Sequence, residues 1–163
     1  MYFLSLNSID EILDNQIGVK LEEIEVNLKK FYYMLVMQIR IFLSEGRYTE
    51  ENQISLVRAM DIRMAAERIR RICETSKTLA GDDKTIKNIL ETFKILYKRT
   101  FESFIKSDFE SATALYNEYN PMLDYCDKIM KEQKLEKDVK KYKSIIDLKH
   151  LLCLGKEMSM LIT

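Results

Sequence analysis

Apolar residues recur along most of this chain at alternating steps of three and four, the spacing of one face of an α-helix. The clearest series runs from Ile17 to Phe42 and predicts one long helix over 8–43. A capping box formed by Ser8 and Glu11 marks its expected start. Further series predict helices over 50–79, 83–106, 108–133 and 136–162. No strand-like alternation occurs, so the pattern predicts an all-α antiparallel bundle of about five long helices.

Polar residues between these series carry the signals that begin and end helices. Thr49 is the expected N-cap of the second helix, and Ser107 with Glu110 forms a second capping box at the start of the fourth. Pro121 lies inside the fourth helix, where it lacks an amide donor and clashes with the preceding turn. We therefore expect a kink close to this proline rather than a new helix capped by Asn120.

The second half of the first predicted helix is apolar on nearly every side. Around Tyr33 to Leu43, most residues outside the regular series are also apolar. A helix of this composition is buried on two sides. The pattern leaves two alternatives open, a place in the centre of the bundle or a contact with a second subunit.

Length and charge limit the classes of protein to consider. A chain of 163 residues is long enough for one well-filled core, so we expect a single domain over 1–163. Its 26 basic and 26 acidic residues give a net charge of zero. This balance removes any global electrostatic argument for binding nucleic acid or an anionic membrane surface.

Cysteine usage and the longest apolar run both favour a cytoplasmic protein. Cys73, Cys126 and Cys153 are odd in number and far apart, which fits neither a disulfide framework nor a zinc site. The apolar run over 31–43 is shorter than the roughly 20 residues that cross a bilayer. We expect no membrane insertion.

No motif of enzyme chemistry is present in the sequence. It contains no glycine-rich phosphate loop, no GxSxG and no HExxH. The one histidine, His150, has no second histidine to share a metal or a catalytic triad, and we interpret it as an ordinary polar residue. The sequence thus predicts a protein that is not an enzyme and needs no cofactor.

The stretch MAAERIRRICETSKTL, residues 64–79, combines charge with helical spacing. Glu67 and Arg71 lie four apart in the order that favours an ion pair, so the charges can simply solvate one helix face. Guanidinium groups also suit phosphate, which makes anion or partner binding a second interpretation. The candidates are Arg63, Arg68, Arg70 and Arg71, with Arg58 nearby; they point around the helix and need other helices to converge.

The longer segment DIRMAAERIRRICETSKTL resembles the signature helix of the PhoU family of phosphate-uptake regulators. Glu67, Arg68 and Ile69 match the Glu-Arg-Ile-x-Asp core of that helix, and Arg71 stands at the family's aspartate. The segment FESFIKSDFESATALYNEY likewise resembles the family's junction between two helices.

The resemblance implies a PhoU-like domain of two related three-helix bundles. Half one would span about 8–79 and lack most of its first helix, and half two would span about 83–162. In the family, each signature helix can lend a glutamate and an aspartate to a surface metal cluster. Glu67 is the only ligand position retained, since Arg71, Gly155 and Ser159 replace the others. We therefore expect no metal, and an ion pair of Glu67 with Arg71 in its place.

The resemblance also implies a role. It predicts a non-enzymatic regulator in phosphate homeostasis that dimerises and contacts a phosphate transporter or a sensor kinase. An alternative is a helical dimerisation or scaffold domain of an unrelated regulator, with no link to phosphate.

Overall fold

A computed structural model of the chain describes residues 1–14, 19–46, 54–79, 83–132 and 139–161. The regular structure within these ranges is entirely α-helical, which confirms the predicted all-α class. Seven helices occur there instead of about five: α1 (Tyr2–Leu13), α2 (Val19–Ser44), α3 (Leu56–Ser76), α4 (Lys84–Lys106), α5 (Phe109–Glu118), α6 (Asn120–Glu132) and α7 (Val139–Ser159).

The predicted long first helix is wrong, because two helices share its sequence. α1 already begins at Tyr2, and Ser8 lies in its middle instead of capping it. The Ser8 hydroxyl donates to the carbonyl of Ser5 at 2.7 Å and shares a hydrogen bond with Ser76 of α3. Glu11 pairs with Lys20 rather than with a free amide. The capping-box pattern of Ser8 and Glu11 therefore does not mark the start of a helix, because both side chains bind partners elsewhere in the bundle.

The remaining helix boundaries agree more closely with the pattern. α4 begins behind an Asp83 cap, as the third predicted helix requires. Ser107 does not cap α5: it ends α4 in the left-handed conformation, φ 53°, and the Asp108 carboxylate accepts from the amide of Ser111 instead. α3 is capped by Ser55, whereas Thr49 lies outside the described residues.

Near Pro121, where a kink was predicted, the helix is interrupted at Tyr119. α5 ends one residue before Tyr119 and α6 begins one residue after it. The backbone of Tyr119 stays helical and accepts from the amide of Leu123 at 3.1 Å. Asn120 is the first residue of α6 and therefore does not cap that helix from outside it.

α7 is the most enclosed helix of the bundle. It packs against α3, α4, α5 and α6, while α1 packs against α3 and α4, and α2 covers α1 and α3. Two fully buried tyrosines join the layers: Tyr97 shares a hydrogen bond with Ser5 of α1 at 2.7 Å, and Tyr119 shares one with Thr100 of α4 at 3.0 Å.

Two pairs of neighbouring helices, α3 with α7 and α1 with α4, run antiparallel. Arg68 of α3 contacts Glu157 of α7, and Thr78, two residues past the end of α3, contacts Asp147 of α7, so residue numbers rise along one segment as they fall along the other. The same order relates α1 to α4, through Ser5 with Tyr97 and Asp10 with Lys94.

The second half of α2 does not lie in the bundle centre, and that alternative is wrong. One side of this half packs on the bundle, and the opposite side leaves large apolar residues exposed, among them Tyr33, Met34, Met37 and Ile41. What remains open is the second alternative, a contact outside the single chain.

Candidate functional site

A cleft of about 570 Å³ opens between α2 and α3 at the arginine stretch. It gathers three of the four arginines proposed from the sequence, which therefore converge with the help of another helix. Its lining consists of Tyr32, Tyr33, Arg63, Met64, Glu67, Arg68 and Arg70.

Glu67 is held by an arginine, but by a different one from that predicted. Arg70 donates to both carboxylate oxygens of Glu67, at 2.9 and 3.3 Å, and also pairs with Glu74. The hydrogen bond from Arg70, with a second one from Tyr32, holds the pKa of the Glu67 carboxyl below its usual range. The predicted ion pair of Glu67 with Arg71 is wrong. Glu67 instead pairs with Arg70, three residues further along, on the side of α3 that faces α2.

Arg71 turns away from the cleft toward α7. Its guanidinium lies 3.4 Å from Nε2 of His150, and Oγ1 of Thr75 lies 3.4 Å from the other ring nitrogen. The one histidine of the chain thus sits between two polar residues at the interface of α3 and α7. Arg71 is the member of the proposed arginine set that does not line the cleft.

The other arginines differ in whether their guanidinium groups have a partner within the chain. Arg68 forms an ion pair with Glu157 of α7 at 2.7 Å. Arg58 donates to the carbonyl of Phe104 at 2.6 Å and lies over its ring. Arg63 is exposed at the cleft and has no carboxylate at ion-pair distance among the residues that the structure describes. Arg63 is therefore the guanidinium most available to a ligand or partner.

Tyr32 and Tyr33 were not predicted as site residues. The sequence places both in an apolar run, yet Tyr32 lies under the guanidinium of Arg70, 5.3 Å from ring centre to carbon, and donates a hydrogen bond to Glu67. The spacing of Arg63, Glu67 and Arg70, in steps of four and three, was the signal that one helix face would meet these rings.

Gly155 and Ser159, the two positions on α7 that resemble ligand positions of the family, are buried. A Cβ atom at Gly155 would lie 2.6 Å from the hydroxyl oxygen of Tyr119 and 2.9 Å from its ring. Ser159 donates to the carbonyl of Lys156 at 2.7 Å. The aromatic ring of Tyr119 therefore fills the space beside this part of α7.

The arrangement does not fit the metal cluster of the family. Within the described ranges, no group of three or more His, Cys, Asp or Glu side chains is placed to hold a metal ion. Arg70 occupies both oxygens of Glu67, and Tyr119 fills the space beside Gly155. The cleft offers charge, hydrogen bonds and aromatic faces for recognition.

The cysteines sit in the interior and carry no reactive feature. Cys73 and Cys126 are buried and Cys153 is half-buried, each as a free thiol. Burial raises the pKa of all three, that of Cys126 to about 11. They pack as small apolar residues.

Comparisons with known proteins identify no relative. No protein-family model matches the chain, and neither a curated protein nor a solved structure matches it. Among the described helices, none is both long and apolar enough to cross a membrane.

Proposed function

We propose that this chain is a PhoU-like regulatory protein that acts in phosphate homeostasis through protein–protein contacts and catalyses no reaction. The observation that carries the proposal is the antiparallel packing of α3 against α7. These are the two helices that the resemblance to the PhoU family makes equivalent.

The packing of the other helices supports the same equivalence. Exchanging α1 with α4, α2 with the α5–α6 pair and α3 with α7 leaves the pattern of helix contacts unchanged. Within one unit α1, α2 and α3 all touch; within the other α4 touches α5 and α7, and the α5–α6 pair touches α7. The two units then meet through α1 with α4 and α3 with α7. Such a pattern is expected of two related three-helix bundles, with α1 as a short first helix.

A tyrosine lies at the corresponding place in each of the two units. Tyr32 from the middle helix of the first unit contacts Glu67, and Tyr119 from the middle of the second lies against Gly155. Glu67 and Gly155 are the two positions at which the family has its glutamates. A tyrosine at both places supports a common origin and accounts for the missing ligand on α7, whose space an aromatic ring has taken.

With no fitting metal site, regulation acts through the surface of the protein. The open cleft at Arg63 and the exposed apolar side of α2 lie next to each other, since Tyr33 belongs to both. A phosphate transporter or a sensor kinase that contacts this side would meet aromatic, apolar and cationic groups together. These groups are enriched at the centres of protein interfaces.

The test is the response of phosphate uptake in cells that lack the protein. We expect radiolabelled phosphate uptake to stay high in phosphate-rich medium, and to become repressible again when the wild-type chain is restored. Sulfate uptake in the same cells is the control and stays unchanged. Phosphate uptake that responds normally without the protein would contradict the role in phosphate homeostasis.

The alternative, a dimerisation or scaffold domain unrelated to phosphate, is favoured by the exposed apolar side of α2. The same experiment separates the two functions. A chain that self-associates in solution but leaves phosphate uptake unaffected would support the scaffold.

A further inference from the structure

α2 has two apolar sides, and its own chain covers only one of them. The inner side, with Leu21, Ile24, Leu28 and Ile39, is buried against the bundle. The opposite side, which we call the outer stripe, stays exposed, and its last three members, Met34, Met37 and Ile41, follow each other at steps of three and four. Its members are Val26, Tyr33, Met34, Met37 and Ile41, each at least half exposed.

The outer stripe continues onto the neighbouring end of α3. Because α2 and α3 are antiparallel and consecutive, the end of α2 lies beside the start of α3. At that end, apolar side chains are again exposed, namely Ile54, Leu56, Val57 and Met60. Exposed apolar side chains therefore lie on both helices at one end of this helix pair.

The exposed area is what a stable dimer needs. The nine side chains are 37% to 63% exposed, so on the scale of the roughly 150–250 Å² that a large aromatic side chain buries, each offers on the order of 100 Å². The outer stripe and the start of α3 together then offer on the order of 900 Å² per chain, more than the roughly 300–600 Å² patch typical of monomers. Two such surfaces face to face would bury about 1,800 Å², within the range of specific protein interfaces.

We propose that the outer stripe is the interface with a second copy of this chain, packed antiparallel about a two-fold axis. A helix face whose apolar residues recur every three and four residues is suited to packing against another helix of the same kind. In a two-fold dimer each copy contributes the same surface, so one stripe is sufficient. This inference stands independently of the role in phosphate homeostasis.

Charge favours a second copy over an anionic membrane. α2 carries four basic residues, Lys20, Lys29, Lys30 and Arg40, against three acidic ones, Glu22, Glu23 and Glu25. Helices that lie on anionic membranes are instead strongly cationic on their polar face. The whole chain has zero net charge, so no long-range repulsion opposes self-association.

The dimer also changes the cleft. Tyr33 lines the cleft and belongs to the outer stripe, so a second copy seated on the stripe covers the cleft edge beside Arg63.

The test is sedimentation equilibrium of the full chain at micromolar concentrations with two matched double variants. Met37→Glu with Ile41→Glu places charges in the stripe. Ile95→Glu with Met160→Glu makes the same replacements at comparably exposed sites away from it. All four residues are exposed in the single chain, so both variants are expected to fold, which circular dichroism verifies.

We expect twice the single-chain mass for the wild type and for the Ile95 and Met160 variant. The Met37 and Ile41 variant should sediment as a single chain, with self-affinity lowered by at least tenfold. A wild type that stays single at all these concentrations would overturn the proposal; if it then co-sediments with anionic vesicles, the stripe belongs to a membrane. Equal dissociation of both variants, or of neither, would also overturn it.

Discussion

α7 and the second half of α2 are both rich in large apolar residues, yet they end in opposite environments. In α7, Leu148, Leu151, Leu152 and Met158 are fully buried because four other helices surround them. In α2, the large apolar residues of the outer stripe face outward because α1 and α3 cover the inner side. The composition of a helix therefore shows how much apolar surface it has to bury. The number of neighbouring helices decides whether that surface is buried within the single chain.

The largest expected difference between the two helices comes from truncating one side chain in each. Leu152→Ala should lower the free energy of unfolding by about 3 kcal/mol, since it leaves a cavity at the centre of the bundle. Met37→Ala should cost the single chain less than about 0.5 kcal/mol, because no cavity forms at an exposed site.

Urea unfolding of both variants at low protein concentration measures this difference. Similar losses in the two would mean that α2 is enclosed by its own chain. At high concentration the wild type should gain stability over Met37→Ala, because a dimer stabilises the folded state by mass action.

A smaller effect is expected at Gly155, where α7 is packed most closely. Alanine normally raises helix stability over glycine by about 1 kcal/mol. Here its Cβ would overlap the Tyr119 ring, and overpacking of this kind costs roughly 1–3 kcal/mol. We expect Gly155→Ala to lower the free energy of unfolding by about 1 kcal/mol, measured by thermal unfolding. A gain in stability would mean that Tyr119 does not lie against Gly155.

The ion pairs of α3 sharpen the comparison, because this helix lies between α2 and α7. Glu67 and Arg70 face α2, whereas Arg71 faces α7. A double-mutant cycle should give a coupling of about 0.5 kcal/mol between Glu67 and Arg70. The cycle between Glu67 and Arg71 is the matched control and should give almost none. If Glu67 couples more strongly to Arg71 than to Arg70, the ion pair predicted from the sequence is the correct one.

The smallest expected effect is the pH dependence that Glu67 confers. Its pKa is lowered in the folded chain, so the charged carboxylate favours folding. This contribution is complete above the ordinary glutamate pKa of 4.5 and is lost as pH falls through the lower folded value. The stability difference between wild type and Glu67→Gln should therefore shrink from neutral pH to pH of about 3. A difference that grows on acidification would contradict the direction of the shift.

Features that depend on the spacing of nearby residues could be predicted from the sequence. Features that depend on contacts between distant residues could not. The helical class and the interruption before Pro121 follow from residues within one or two turns of each other. The start of α1 could not be found in that way, because Ser8 is satisfied by Ser76 and Tyr2 stacks on Phe101, both far away in sequence.

The candidate site shows the same division. The arginines were identified as a group, but their partners depend on which helix each face meets. Glu67 pairs with Arg70 rather than with Arg71 because Tyr32 of α2 lies on the same side of α3 as Arg70. The outer stripe was predicted as a surplus of apolar residues, and only the packing of α2 distinguishes the bundle centre from an outer surface.

Oxidation of the wild-type methionines by hydrogen peroxide, followed by peptide mass spectrometry, tests the central claim most directly. Met158 is fully buried and Met160 is 64% exposed, so the two calibrate slow and fast oxidation in one molecule. Met37 is 62% exposed in the single chain. A second copy on the outer stripe predicts that Met37 oxidises as slowly as Met158 at high protein concentration and as fast as Met160 on dilution. Fast oxidation of Met37 at every concentration would contradict it.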